Sequence, residues 1–294
     1  MTVFLATLSI TSTLIVLFML FNRRLRRSLT APREPILKSL AQHGITGQDI
    51  RFPTQRGRQL EGWFLPGNQG QGLVVITHGW GANRELMLPL ARPLQTTGFS
   101  VLLFDARNHG SSDNDTFSSM PRFAEDLDAA LTWLKTQPIG QNEPLALIGH
   151  SVGAAATLLV ASRRNDISAV VSLAAFAHPN GMMCRWLAEK GLPYFPLGWY
   201  VLNYVQWIIG HRFDAIAPIN TIQSVSCPVL LIHGSDDTTV PLEEAKAIWA
   251  HRRCDTVTLR ILPGEHDASD KIEQHRDELV IFLTRHLSPK TTRS

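Results

Sequence analysis

The sequence predicts an α/β fold: a mostly parallel, doubly wound sheet with helices on both faces and a helical cap, preceded by one N-terminal transmembrane helix. Three observations carry that expectation. Short apolar runs alternate with helical segments along most of the chain. An aromatic-rich stretch of nearly forty residues, Phe176 to Phe213, interrupts the alternation once. Val3 to Phe21 holds no charged residue, close to the ~20 residues that a helix needs to cross a bilayer. With 294 residues, 44% hydrophobic and 18% charged, the chain is too apolar for a disordered polymer and too long for a peptide-sized module.

At the N-terminal end, Val3 to Phe21 reads as an uncleaved membrane anchor. A secretory signal places its positive charge before the apolar run and ends in a small-residue cleavage site; here Arg23, Arg24, Arg26 and Arg27 come after the run and no A-x-A appears. That basic cluster belongs on the cytoplasmic side, which predicts a single-pass protein with its remaining ~270 residues in the cytoplasm. The same four arginines account for the chain's basic character, since without them the formal charge falls from +3 to −1. No nucleic-acid-binding face is therefore expected. Residues 1–22 are assigned to the anchor and 23–48 to a basic juxtamembrane segment and linker, whose prolines Pro32 and Pro35 stop the helix.

The region 49–287 then reads as one folded domain. Asp49 to Thr54 and Gln59 to Leu65, separated by the turn-like QRGR, form an antiparallel pair. Leu73 to Thr77, Ser100 to Phe104, Pro144 to Ile148, Ala169 to Leu173 and Val229 to Ile232 are continuous apolar runs, as expected of parallel strands buried on both faces. Arg84 to Thr97, Pro121 to Thr136, Ala154 to Arg163 and Leu242 to His251 supply the helical crossovers, and Thr256 to Leu262 with Lys271 to His286 a last strand and helix. The interruption, with the cap insertion set at 177–213, carries three Trp and all three Tyr of the chain, too aromatic for a solvated loop.

In such a sheet, chemistry belongs just beyond the C-terminal ends of the strands. Gly149-His150-Ser151-Val152-Gly153 stands there, after one strand and before the run Ala154-Ala155-Ala156. The pattern G-x-S-x-G in that context lifts a serine hydroxyl out of a tight turn. A serine needs a base, and the base an acceptor that holds its tautomer. Asp236 and Asp237 come after the strand at Val229, and His266 after the strand at Thr256, so the chain order is serine, acid, histidine. Cys184, Cys227 and Cys254 are scattered without a CxxC pair, no H-E-x-x-H occurs, and no phosphate-binding or dinucleotide glycine loop is present. Neither a metal nor a cofactor is expected.

These motifs together resemble the α/β-hydrolase serine hydrolases, of the esterase and lipase-like kind that includes the serine aminopeptidase and monoacylglycerol-lipase groups. Four stretches stand in the family's order: His78-Gly79-Trp80-Gly81, Asp105 to Ser112, the elbow around Ser151, and the segments of Asp237 and His266. The resemblance selects Asp237 over Asp236, through His233-Gly234 and Val240-Pro241, and leaves Asp236 to the turn. It implies a catalytic Ser151, Asp237 and His266, with an oxyanion hole from the backbone N–H groups of Trp80 and Val152. His78, Gly79, Asp105, Arg107 and His109 are expected to be scaffold. Asn108 stands where the family has glycine, a tolerable exchange because asparagine accepts the left-handed conformation.

The resulting expectation is hydrolysis of a carboxylic ester with an apolar, lipid-like acyl group. A thioesterase would use the same residues. An aminopeptidase would need acidic residues in the cap to hold the substrate's amine, and between Phe176 and Phe213 only Glu189 is acidic. A catalytically silent, membrane-tethered binding protein is the alternative outside enzymes.

Overall fold

The computed structural model describes residues 2–140, 143–266 and 276–287. Its centre is an eight-stranded sheet in the order β1-β2-β4-β3-β5-β6-β7-β8, formed by β1 (Gln48–Pro53), β2 (Gln59–Leu65), β3 (Leu73–Thr77), β4 (Ser100–Phe104), β5 (Leu145–His150), β6 (Ala169–Leu173), β7 (Val229–Gly234) and β8 (Val257–Leu262). The first two strands pair antiparallel with each other, and β2 pairs antiparallel with β4; the remainder is parallel. Strands β3, β4 and β6 begin and end with their apolar runs because both faces are covered, whereas β5 and β7 run two residues further than expected, to His150 and Gly234. In β3, Leu73 and Val75 enter one hydrophobic core while Val74 and Ile76 enter the other; in β4, Leu102 and Phe104 oppose Val101 and Leu103 in the same way. No polar alternation can survive in strands buried on both sides.

Helices α2 (Leu88–Thr96) and α10 (Arg276–Leu287) cover one face, while α3 (Met120–Thr136), α4 (Val152–Ala161) and α9 (Leu242–Ala250) cover the other. Pro121 sits in the first turn of α3, where its missing N–H costs nothing. The helix expected from Arg84 begins instead as a short 3-10 turn, Glu85–Met87, because Asn83 Oδ1 accepts from the N–H groups of Glu85 and Leu86 and turns the chain there. Of the expected last helix, residues 271–275 lie outside the described residues.

The chain reverses direction through the sheet around β3, which lies between β4 and β5, so a crevice opens beyond the C-terminal ends of β3 and β5. The register matches Thr77 to Gly149, and the loop after β3 therefore emerges beside the loop after β5.

Helix α1 (Thr2–Ser28) is long and apolar enough to cross a membrane, and the window that qualifies it is wholly exposed. The arginines occupy its last two turns. Beyond α1 the chain is pinned rather than free. Ser118 N–H donates to Leu29 O, Arg33 donates to the carbonyls of Gly110 and Ser112 at 2.9 Å each, and Asn83 Nδ2 donates to those of Glu34 and Pro35. Leu40 and Ile45 are buried in the core. These contacts fasten the segment to the loops after β3 and β4, at the end of the sheet where the crevice opens.

The aromatic interruption forms two helices, α5 (Pro179–Glu189) and α6 (Trp199–Ile209), joined through a π turn at Tyr194–Gly198; the one-turn helices α7 (Phe213–Ile216) and α8 (Pro218–Thr221) lead back toward β7. Leu187, Val201, Leu202 and Val205 face the core, whereas Tyr194, Phe195, Trp199 and Trp207 are exposed. Tyr200 and Tyr204 stack at 5.9 Å.

Candidate active site

Beyond β5 the chain turns through Ser151 at φ 54 and ψ −117, a conformation that costs of order 1–3 kcal/mol for a residue with a side chain. The two flanking glycines explain how the turn closes. A Cβ on Gly149 would lie well under 3.0 Å from the carbonyl of Gly153, and one on Gly153 would meet the carbonyl oxygens of Thr77 and His78 at a similarly forbidden distance. Backbone therefore passes backbone at both positions, and α4 is pressed against the end of β3. The small residues Ala154, Ala155 and Ala156 continue that close approach and are fully buried.

This turn presents Ser151 Oγ to His266, whose Nε2 lies 3.0 Å away across 115 residues of sequence. On the other side of the ring, Nδ1 lies 2.7 Å from Asp237 Oδ2. Asp237 is fixed in turn, because its Oδ1 accepts from the N–H groups of Thr239 at 3.0 Å and Val240 at 2.8 Å. With the carboxylate accepting from Nδ1–H, the free lone pair of the imidazole sits on Nε2 and faces the serine proton. Asp236 lies apart from this array: its Oδ2 accepts from Gly264 N–H at 3.2 Å and from Ser235 Oγ at 3.1 Å, a turn role. Gly234 is required at this crossing, since a Cβ there would strike the backbone of Gly264.

Gly79 leads the loop that carries Trp80, and a Cβ on it would come 3.4 Å from Ser151 Cβ and 3.0 Å from His150 Nδ1. The loop that leads into Trp80 thus passes beside Ser151, and Val152 stands at the first position of α4, where N–H groups lack helical partners. An unpartnered N–H at a helix start beside a nucleophile is suited to an oxygen that acquires negative charge.

Residues behind the loops act through others. His78 is buried, with Nδ1 donating to Gly79 O at 2.7 Å and Nε2 accepting from Ala106 N–H at 3.0 Å; burial holds its pKa down to about 4, so the ring stays neutral. His109 packs on it at 4.9 Å, and burial pushes its pKa down to about 3. Asp105 accepts from Arg84 through an ion pair and from Arg84 N–H at 2.7 Å and Ser111 N–H at 2.8 Å. Arg107 spans Asp115, Glu125 and Asp126, ordering the loop after β4. Asn108 adopts φ 69, and its side chain donates to Phe117 O at 3.0 Å and accepts from Asp115 N–H at 2.6 Å.

Two contributors escape sequence reasoning. His150, inside the elbow, directs Nε2 to the backbone carbonyl of His266 at 3.0 Å, and the two rings lie 5.1 Å apart. Glu244 on α9 accepts from Ala177 N–H at 2.6 Å through Oε2 and pairs with Arg185 of α5 through Oε1. The first is hidden in an unconstrained position of its motif. The second lies in an ordinary amphipathic helix, and no local pattern marks it. Among the described residues no cluster of His, Cys, Asp and Glu could hold a metal ion.

Known proteins share this architecture. A family model described as serine aminopeptidase, S33, matches residues 68–208. The uncharacterised protein MT2364 of Mycobacterium tuberculosis is 32% identical over 218 residues, covering 74% of this chain and 71% of its own. The uncharacterised protein YfhR of Escherichia coli K12 is 27% identical over 256 residues, 83% of each chain. Among solved structures, the esterase Pf2001 of Pyrococcus furiosus superimposes with a TM-score of 0.72 at 23% identity, over 88% of this chain and 100% of that one.

Proposed function

This chain belongs to the α/β-hydrolase serine hydrolases, and we propose that it cleaves a carboxylic ester with an apolar acyl group while held at a membrane by α1. The observation that carries the reading is the unbroken line from Asp237 through His266 to Ser151, with spacings of 2.7 and 3.0 Å. Ser151 Oγ attacks the ester carbonyl as His266 Nε2 takes its proton. The carbonyl oxygen becomes an oxyanion held by the N–H groups of Trp80 and Val152, where one donor is worth about 3 kcal/mol. Collapse of the tetrahedral intermediate expels the alcohol, which takes the proton from His266. Water, deprotonated by the same Nε2, then attacks the acyl-serine, and its collapse returns the acid and the free hydroxyl. Asp237 keeps Nδ1–H in place and offsets the charge of the imidazolium.

Ester cleavage is preferred to aminopeptidase action because the cap offers no acid toward a substrate amine. Glu189 is exposed at the end of α5, Asp214 pairs with His178, and Glu244 is engaged with Arg185 and Ala177. Membrane attachment draws on α1, and the arginines of its last turns orient the domain toward the cytoplasm. The segment that follows α1 is fastened to the loops after β3 and β4, which ties the anchor to the end of the sheet where the crevice opens.

The test is covalent labelling with a fluorescent fluorophosphonate, then turnover of a panel of esters, thioesters and aminoacyl anilides. Labelling that disappears in Ser151→Ala, with ester turnover exceeding anilide turnover, is expected. An unlabelled native protein, or turnover confined to anilides, would sink the reading.

A further inference from the structure

Where α1 meets the cap, the molecule holds a cavity of about 370 Å³ that the mechanism leaves unused. That volume lies in the range of small-molecule sites, ~300–1,000 Å³. Its walls come from two parts of the chain far apart in sequence: Phe21 and Leu25 from the end of α1, Trp186 and Leu197 from the cap, with Arg24 and Lys190 also lining it. None of Ser151, Asp237, His266 or Trp80 touches it.

The two cations set this cavity apart from an ordinary packing defect. Both are exposed, and among the described residues neither side chain makes an ion pair or hydrogen bond, whereas Arg26 reaches Tyr204 Oη at 3.5 Å. Glu189, next to Lys190, is exposed and pairs with neither. A half-open apolar groove bearing two unanswered positive charges is complementary to an amphiphile with an anionic head and a hydrocarbon tail.

Position along α1 then selects the source. The apolar run ends at Phe21 and the arginines begin at Arg23, so this level of the helix is where hydrocarbon gives way to headgroups. The cap is tied to α1 at that level: Tyr200 Oη donates to Asn22 Oδ1 at 2.6 Å, and its ring packs on Phe18 at 5.7 Å and Phe21 at 6.1 Å. Trp199 and Trp207, both exposed, project from the same helix α6, as aromatic residues do at a membrane boundary.

We infer that the junction of α1 and the cap is a seat for an anionic phospholipid of the surrounding leaflet, its acyl chain between Phe21, Leu25, Trp186 and Leu197 and its headgroup on Arg24 and Lys190. The inference rests on the membrane reading of α1 and is independent of the ester chemistry. A seated lipid fixes the cap against the anchor and holds the crevice close to the bilayer surface.

The experiment uses the full chain in phosphatidylcholine nanodiscs, with tryptophan fluorescence read against increasing fractions of acyl-brominated phosphatidylglycerol or, separately, acyl-brominated phosphatidylcholine. Half-maximal quenching should come at a mole fraction roughly thirtyfold lower for the anionic lipid, the effect of two surface cations. Trp186→Phe should remove much of the selective component. The double variant Arg24→Gln, Lys190→Gln should bring the two titrations together. Arg23→Gln with Arg27→Gln, which removes equal charge away from the cavity, should leave most of the preference, and charge-conserving Arg24→Lys should keep it. Equal loss in both double variants would mean diffuse attraction and overturn the seat. So would quenching indifferent to headgroup, or a brominated free fatty acid outcompeting the phospholipid. No quenching by any brominated lipid would overturn the membrane reading together with the seat, while fluorophosphonate labelling would still report on the hydrolase chemistry.

Discussion

The strand-end site and the cap are built on opposite terms. At the strand ends, backbone packs on backbone: Gly149 against Gly153, Gly153 against Thr77 and His78, and Gly234 against Gly264, with each crossing too close for a side chain. Polar groups around Ser151 and Asp237 are held by N–H donors of neighbouring turns. The cap is held by a few side chains, Glu244 on Ala177 and Arg185, His178 on Asp214, Tyr200 on Asn22, over one apolar face. Backbone crossings admit one geometry, whereas a layer held by side chains can be exchanged without disturbing the sheet. The difference teaches that the chemistry is a property of the sheet and the substrate preference a property of what lies on it.

The strongest way to break this contrast is to remove the chemistry and leave the fold. His266→Ala should lower ester turnover by about 10⁵–10⁶-fold, and Asp237→Asn by about 10⁴-fold, with thermal melting little changed; steady-state kinetics on a soluble short-chain ester measures both. Retained turnover in His266→Ala would detach the histidine from the reaction.

Next in size is the backbone crossing. Gly153→Val must push α4 off β3, and a loss of stability of about 3 kcal/mol or more is expected, seen as a large drop in the melting temperature. A variant as stable as the native protein would show that the crossing is softer than its spacing implies.

Acid should attack the same region. His78 is held neutral with a pKa of about 4 and His109 with one of about 3, against 6.5 when exposed, so the unfolded chain binds more protons than the native one between those values. Stability from these rings is complete above pH 6.5 and is lost as pH falls toward 4, by an amount of order 3 kcal/mol for His78. Denaturant midpoints at pH 7 and pH 4.5 would measure it. The His78→Gln, His109→Gln double variant should flatten the slope over that window.

Two smaller effects belong to the cap. Glu244→Gln strips the charge from the contact with Arg185 and weakens the acceptor of Ala177 N–H, for about 1–3 kcal/mol; KM for a long-chain ester should rise more than kcat falls. A change in kcat alone would place Glu244 in the chemistry rather than under the cap. Trp207→Ser, at a side chain 72% exposed, should alter stability by less than about 0.5 kcal/mol, read from the melting curve. A larger loss would show that Trp207 is part of the packed layer.

How far the sequence reaches differs between the same two regions. The strands are legible because continuous runs such as LVVIT and SVLLF have no polar face to expose, and β3, β4 and β6 begin and end where those runs do. The glycines around Ser151 announce a tight turn. The start of the helix near Arg84 is not legible, because the acceptor that turns the chain, Asn83, acts through its side chain. The prolines after α1 mark a linker, but its attachment through Arg33 and Asn83 to loops 48 to 81 residues away has no local signal. Glu244 is invisible for the same reason.

By itself the sequence determined which residue types stand at the ends of which strands, because side-chain periodicity and steric permission at glycine are local properties that a single chain carries openly. The resemblance of its motifs named Ser151, Asp237 and His266; only the tertiary structure decided that they stand 2.7 and 3.0 Å apart across up to 115 residues, that His150 reaches the His266 carbonyl, and that the cap closes on α1. Those choices depend on strand order and register. They arise when the sheet assembles and brings its loops to one edge, a step governed by contacts between distant segments rather than by any stretch of sequence.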